Sequence, residues 1–126
     1  MMSDELTVLG RSVRAPLRRL ETILVPSAVK QVTFRGDELT ANCPVTGQPD
    51  FYDYEIHCHT HSRSLESKSL KLYLWSWHDE GIFAETLAAH IADDVAHAIE
   101  GRSYVRLDQH VRGGISLSVI AEGGLR

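Results

Sequence analysis

The sequence predicts an α+β domain in which an antiparallel sheet is covered by two helices. Three observations lead to this class. The chain has 126 residues, enough for one domain. Apolar and polar residues alternate toward both ends, and two segments between them have helical periodicity. The predicted order is therefore ββααββ, which favours α+β packing over a parallel doubly wound sheet.

An N-terminal arm, residues 1–28, is expected to precede the folded domain of residues 29–126. The arm carries two prolines and a basic cluster but only a short apolar pattern, so we expect it to be loosely ordered, with a helical turn or two at most. Its basic cluster consists of Arg11, Arg14, Arg18 and Arg19.

The first half of the domain is predicted to hold two strands and a shaped loop. Residues 29–41 alternate on either side of Gly36 and Asp37, which fits one long bent strand or a loose hairpin. Residues 43–50 contain two prolines and a glycine, so neither a helix nor a ladder can run through them. Residues 51–61 alternate again and predict a half-buried strand.

The second half is predicted to hold two helices and a hairpin. The apolar residues of 67–77 fit both the alternation of a strand and the spacing of one helical face. A helix is favoured because the segment is rich in Leu, Lys and Ser and has no β-branched residue. An apolar stripe from Leu87 to Ile99 predicts the second helix, with Gly101 as its stop. Alternation on both sides of Arg112-Gly113-Gly114 predicts the hairpin.

Composition excludes several classes of function. A net charge of −4 and a pI of 5.9 argue against binding to free duplex nucleic acid. Two cysteines and no recognisable leader indicate the cytoplasm. No segment approaches the roughly 18 consecutive apolar residues of a membrane span. A chain of this length also cannot hold separate cofactor and substrate domains.

Cys43 and Asp50 form the first candidate pair. Cys43 begins the proline-constrained loop and Asp50 ends it, so the backbone can fold the carboxylate back toward the sulfur. A thiolate attacks electrophilic carbon, and a nearby acid can protonate the group that is attacked. The alternative is that Cys43 is a small buried residue, as we expect for Cys58.

Further candidates follow along the chain, each with a structural alternative. Lys68 and Lys71, three residues apart, could grip phosphates or could simply form a solvated helix face. Phe83 and Glu85 could stack on a flat heterocycle and bind its N–H groups, although Glu85 also suits a first helical turn. Arg112 and Gly113 belong either to a phosphate-contacting loop or to a turn.

Three histidines share one predicted strand face: His57, His59 and His61. With a carboxylate such as Glu55 they could bind zinc, but no residue elsewhere has the spacing that would complete a ligand set. A polar exposed face or a subunit contact explains them equally well. No metal site is therefore assigned.

The order of these motifs closely resembles that of the NADPH-dependent 7-cyano-7-deazaguanine reductases of queuosine biosynthesis. The resemblance covers roughly residues 39–118. It rests on NCPVTGQPDF at residues 42–51, ESKSLKLY at residues 66–73, FAE at residues 83–85 and RGG at residues 112–114. It implies a tunnelling fold, in which subunits assemble side by side into a barrel with active sites between them.

The resemblance also implies residue roles. Cys43 is the nucleophile that forms a thioimide with the nitrile carbon, and Asp50 is the acid. Glu85 binds the guanine-like edge of 7-cyano-7-deazaguanine and Phe83 packs on its ring, with Glu66 and Ser67 adding substrate contacts. The residues expected at NADPH are Ser67, Lys68, Lys71, Arg112 and Gly113.

One departure from the family pattern opens alternatives. The family usually has His before the substrate-binding Glu, whereas this chain has Ala84. The chain could then be a reductase whose reduction steps are slowed, or one in which His78 or water supplies the proton. It could also be a relative that forms the thioimide and passes it to another nucleophile, as the amidine-forming relatives do, or a non-catalytic deazapurine-binding subunit. A chain this short can reduce a nitrile only if neighbouring subunits complete the site, which predicts an obligate homo-oligomer.

Overall fold

The computed structural model describes residues 16–124. Their elements, in chain order, are β1 (Thr22–Leu24), β2 (Gln31–Asn42), β3 (Pro49–His59), β4 (Arg63–Leu65), α1 (Ser67–Trp75), α2 (Ala84–Ile99), β5 (Arg102–Arg112) and β6 (Ile115–Gly123). Within this range no helix combines the length and apolar character that a membrane crossing requires.

The main sheet is antiparallel and has four strands in the order β2-β3-β5-β6. Alternate residues of β3 point into the protein, so Tyr52, Ile56 and Cys58 are fully buried. They pack with apolar residues of both helices in a single core. The predicted α+β class and the order of the main elements are confirmed.

The predicted long bent strand is confirmed. The pairing of β2 with β3 shifts register between Gly36 and Leu39, so β2 is one bent strand and the hairpin alternative is wrong. A Cβ atom at Gly36 would lie 2.4 Å from the Tyr54 hydroxyl oxygen, so a larger residue there would displace the Tyr54 ring.

The expectation of an irregular or helical arm is wrong for Thr22–Leu24. These residues form β1, which pairs antiparallel with β4 in a small second sheet. Just before it, the Arg18 guanidinium lies 3.6 Å from the centroid of the Trp77 ring. Because the partner strand lies about forty positions away along the chain, local periodicity does not reveal it. Residues 1–15 of the arm lie outside the described residues, and its boundary at residue 28 remains a proposal.

Both helices are confirmed, with one correction. At the end of α2 the left-handed residue is Glu100, at φ 54° and ψ 46°, and not the predicted Gly101. Gly101 is needed instead for close approach, because a Cβ atom there would lie 2.8 Å from the carbonyl oxygen of His59.

The C-terminal hairpin is confirmed. Gly113 and Gly114 have φ values of 58° and 79°, which a two-residue turn of this kind requires. The pairing of β5 with β6 also shifts register between Gln109 and Arg112. This irregularity lies at the end of the sheet that carries the candidate site.

Candidate active site

Cys43 occupies a tight loop between β2 and β3. Its N–H donates to the carbonyl of Gln48 at 2.8 Å, and the N–H of Gly47 donates to the Cys43 carbonyl at 2.9 Å. Gly47 has φ 74°, a conformation that favours glycine. The loop ends at Gln48 and not at Asp50 as predicted, because Pro49 and Asp50 already pair with β2.

The segment before α2 is fixed against the same loop. Asn42 N–H donates to the carbonyl of Glu80 at 2.8 Å, and Ile82 N–H donates to the carbonyl of Asn42 at 3.0 Å. These two bonds place the start of α2 beside the residue that follows Asn42. Cys43 and the N-terminus of α2 therefore face one cleft.

The cleft has a volume of about 320 Å³. It collects side chains from the loop, β3, the start of α2, β5 and β6. The lining residues are Cys43, Thr46, Gln48, Asp50, Phe83, Ala84, Glu85, Gln109, Arg112 and Leu117. Five of the predicted site residues are thus brought together, although they are spread over some seventy positions of the sequence.

The thiol of Cys43 is activated by its own loop. A hydrogen bond from the Thr46 hydroxyl lowers the pKa of Cys43, as do backbone contacts with Thr46 and Val45, against smaller opposing effects of burial and of the Asp50 charge. Cys43 is half-buried and free. By contrast, burial raises the pKa of Cys58 to about 11. Of the two thiols, Cys43 is therefore the one whose pKa favours a thiolate.

Asp50 contributes a carboxyl group to the cleft. It lies on the inward face at the start of β3 and is 8% exposed. A thiolate beside a carboxylic acid would combine a nucleophile with a proton donor.

The start of α2 supplies an aromatic ring and a second carboxylate. Phe83, the N-cap residue, makes no side-chain capping hydrogen bond, and its ring is 55% exposed. Glu85 lies in the first turn of the helix and is exposed. Between them Ala84 is buried. A planar heterocycle with N–H groups on its edge suits this combination.

Arg112 adds a positive charge at the end of β5. It lines the cleft directly before the Gly113-Gly114 turn. Gly113 itself does not line the cleft. The turn function of this motif is therefore established, and a contact of Arg112 with a ligand is compatible with it.

Other predicted site residues lie elsewhere in the chain. Glu66, Ser67, Lys68 and Lys71 do not line the cleft. Glu66 caps α1: its two carboxylate oxygens accept hydrogen bonds from Lys68 N–H and Ser69 N–H, both at 2.8 Å. Lys71 lines a larger groove of about 590 Å³ together with Asp37 and Glu38. Within one chain these residues and Cys43 thus belong to separate surfaces.

Four residues of the cleft were missed by sequence reasoning: Thr46, Gln48, Gln109 and Leu117. Thr46 had a detectable signal, because a hydroxyl three residues after a cysteine in a tight loop can reach back to the sulfur. Gln109 had none. It reaches the cleft because β5 pairs it with Tyr52 on one side and Leu117 on the other.

Two of the three histidines, His57 and His59, lie on β3. His57 contacts Glu55 through one ring nitrogen and Gln31 through the other, and its ring meets Tyr104 edge to face at 4.9 Å. His61 lies beyond the end of β3. In residues 16–124 no group of three His, Cys, Asp or Glu side chains could hold a metal ion.

Comparison with known proteins identifies the family. A profile described as "QueF-like protein" matches residues 49–125, a segment that includes Asp50 and Glu85. A protein of Syntrophus aciditrophicus (strain SB) is 48% identical over 94% of this chain and 86% of its own length. A protein of Frankia casuarinae is 40% identical over 90% of this chain and 91% of its own length. One of Anaeromyxobacter sp. (strain Fw109-5) is 42% identical over 88% of this chain and 93% of its own length. All three are named NADPH-dependent 7-cyano-7-deazaguanine reductase.

A solved structure shares the fold. It is the apo form of the archaeosine synthase QueF-Like, which matches with a TM-score of 0.71 over 78% of this chain and 98% of that one, at 19% identity. The likeness confirms the fold class implied by the motifs. With the profile match and the similarity to the three reductases, it follows that the chain belongs to the QueF-like protein family.

Proposed function

We propose that this protein reduces the nitrile of 7-cyano-7-deazaguanine to a primary amine, 7-aminomethyl-7-deazaguanine, with NADPH as reductant. The names of relatives that are 40–48% identical over most of the chain support this activity. The observation that carries the mechanism is the cleft in which Cys43, Asp50 and Glu85 meet. Each of the three meets one need of a nitrile reductase.

Cys43 and Asp50 would activate the nitrile. A nitrile carbon accepts hydride poorly until a nucleophile has added to it. The Cys43 thiolate forms a bond to this carbon, one electron pair of the triple bond moves to nitrogen, and Asp50 supplies the proton. The product is a thioimide, whose C=N bond can be reduced. The lowered pKa of Cys43 favours the nucleophile that this step needs.

Phe83 and Glu85 would orient the heterocycle. The exposed ring of Phe83 offers a surface on which the deazaguanine can stack. The carboxylate of Glu85 can accept hydrogen bonds from the N–H and amino groups of its edge. Because the two residues lie at the start of one helix, they would hold the ring and the N–H edge of the deazaguanine in a fixed position relative to Cys43.

The reductant would be held by residues of two chains. When bound, NADPH supplies the hydride for each of two successive reductions. Lys68 and Lys71, with Ser67, lie on α1, whereas Arg112 and Gly113 lie at the hairpin turn. In one chain Lys71 and Arg112 line different cavities. A homo-oligomer in which α1 of one copy approaches the cleft of the next would unite them, and we propose that the active sites lie between subunits.

Ala84 favours a second candidate function. No histidine lines the cleft formed by the described residues, and Ala84 is only 3% exposed. The chain would then form the thioimide and reduce it slowly, or pass it to another nucleophile. In that case substrate would modify Cys43 without matching consumption of NADPH.

Absorbance of NADPH tests the proposal. Full-length protein mixed with 7-cyano-7-deazaguanine and NADPH is expected to consume the cofactor and yield the amine, whereas Cys43→Ala is expected to do neither. Consumption that persists in Cys43→Ala would overturn the proposed mechanism. If the wild type is modified by substrate but consumes no NADPH, Ala84→His separates the candidates, since a slowed reductase gains activity and a transferase does not.

A further inference from the structure

Tyr52 places a polar group beneath the cleft. It lies on the inward face of β3, two residues after Asp50, and pairs with Leu39 of β2 and Gln109 of β5. The side chain is fully buried. Its hydroxyl has no hydrogen-bond partner among the residues that the structure describes.

Three residues of the cleft act electrostatically on the hydroxyl. Burial is the main cause that raises the pKa of Tyr52 to about 12, and the charges of Asp50, Glu85 and Cys43 add to it in that order. Asp50 lies on the same strand as Tyr52, Glu85 lies in the first turn of α2 and Cys43 lies in the loop before β3. Arg112 of β5 is the remaining charged residue of the cleft lining. The phenol therefore remains protonated, and a donor, at neutral pH.

An unpartnered buried hydroxyl is costly in a folded protein. It gives up its hydrogen bonds to water without replacing them, and natural structures contain few such groups. Tyr54, the next residue on the same inward face, is only half-buried, and it lies beside the groove of Asp37 and Glu38 rather than beside the cleft. An unfavourable feature that lies under reactive groups suggests a role in another state of the site.

We infer that Tyr52 is a positioning residue of the proposed reaction, whose O–H donates to the Asp50 carboxylate as Asp50 gives its proton to the nitrile nitrogen. The inference rests on the proposed function. The S–C bond forms, the nitrogen gains an electron pair and then the proton, and the negative charge left on Asp50 meets a donor that was unpartnered before. Because this hydrogen bond is absent from the resting site, it stabilises the transition state selectively.

Tyr52→Phe separates this role from a structural one, with Tyr54→Phe as the matched control on the same strand. Three quantities are measured on full-length protein: the melting temperature, the alkylation rate of Cys43 by iodoacetamide, and the rate at which 7-cyano-7-deazaguanine adds to Cys43. Alkylation needs the thiolate but no proton donor. We expect Tyr52→Phe to raise the melting temperature, leave alkylation unchanged and slow addition about tenfold, the effect of one hydrogen bond to a charged group. Tyr54→Phe should leave addition unchanged.

The other outcomes contradict the inference. An unchanged rate of substrate addition in Tyr52→Phe would show that the hydroxyl takes no part in the step. A lower melting temperature, or loss of folding, would mean that the hydroxyl is hydrogen-bonded in the resting protein. If Tyr52→Phe slows alkylation and substrate addition equally, the hydroxyl acts on the Cys43 thiolate and not on the proton transfer from Asp50. If the wild type forms no adduct, the proposed function fails and the inference fails with it, whereas addition at equal rates in wild type and Tyr52→Phe overturns the inference alone.

Discussion

At the scale of single residues, the lowered pKa of Cys43 comes from the few residues that follow it. The Thr46 hydroxyl contacts the sulfur and also accepts a hydrogen bond from Gln48 N–H at 3.2 Å. One side chain thus shapes the loop and stabilises the thiolate. The groups that lower the pKa of Cys43 therefore all lie within the short loop sequence itself.

Replacing Thr46 tests that activation. Thr46→Val removes the largest single cause that lowers the pKa of Cys43, so the pKa rises and less thiolate is present at neutral pH. Alkylation by iodoacetamide at pH 7 should slow severalfold, and its rise with pH should move to higher pH. Thr46→Ser keeps the hydroxyl and should react like the wild type. A pH profile of Thr46→Val that overlays the wild type would show that the thiolate is stabilised elsewhere.

Glu66 shows how a structural role can lie within a family motif. Its capping bonds leave α1 dependent on this carboxylate, so Glu66→Ala should lower the free energy of unfolding by about 1–2 kcal/mol. Glu66→Asp retains a capping carboxylate and should recover most of the loss. Urea unfolding followed by circular dichroism measures both. Equal stability of Glu66→Ala and wild type would refute the capping role.

The candidate site was only partly predictable at this scale. Cys43, Asp50, Phe83, Glu85 and Arg112 were named from motif order and do line one cleft. Chemistry that depends on neighbours in the sequence, such as the loop around Cys43, can be anticipated from composition. Gln109 reaches the site only through strand pairing, which no local pattern specifies.

At the scale of elements, the packing of α2 against the sheet depends on one close approach. At Gly123, the last residue of β6, a Cβ atom would lie 2.2 Å from the carbonyl oxygen of Ala92 in α2. Ser103 of β5 donates to the same carbonyl at 2.6 Å. The helix is thereby fixed to β5 and β6, and its N-terminus with Phe83 and Glu85 is fixed to the cleft.

Gly123→Ala should therefore be strongly destabilising. The added methyl group meets backbone rather than a flexible side chain, so helix and strand must separate, at a cost of about 2 kcal/mol or more. Gly81→Ala is the matched control, because its Cβ atom would be 3.6 Å from its nearest neighbour. Thermal unfolding of the two variants should differ by several degrees. Similar melting temperatures would contradict the close approach.

Elements with strong periodicity were predicted well, and short ones were not. The apolar stripe of α2 and the alternation of β3, β5 and β6 each specify a buried face without reference to the rest of the chain. β1 and β4 have three residues each and exist because they pair with one another. The helix stop was misplaced because Glu100 adopts the left-handed conformation that is usually left to glycine.

At the scale of the whole molecule, the sheet ends in two open edges. Within the described chain, β2 and β6 each pair on one side only. Exposed apolar side chains, among them Val111, Ile115 and Ile120, lie on β5 and β6 near one of these edges. Open edges with apolar side chains favour pairing with another chain. This agrees with the proposed homo-oligomer.

Complementation tests whether active sites are shared between subunits. Cys43→Ala and Lys71→Glu should each lose NADPH consumption when expressed alone. If Cys43 of one chain works with Lys71 of the next, co-expression in equal amounts should restore about a quarter of wild-type activity, the fraction of interfaces that carry both intact residues. Different affinity tags on the two variants verify that mixed oligomers form. Mixed oligomers without activity would place both residues in one chain's site.

The central claim is that Cys43 bonds covalently to the nitrile carbon of the substrate. Intact-mass measurement after mixing full-length protein with 7-cyano-7-deazaguanine, without NADPH, tests it most directly. We predict a mass increase equal to one substrate molecule per chain, located at Cys43 by peptide mapping and absent from Cys43→Ala, with the buried Cys58 unmodified. No mass increase in the wild type, or one that persists in Cys43→Ala, would contradict the account.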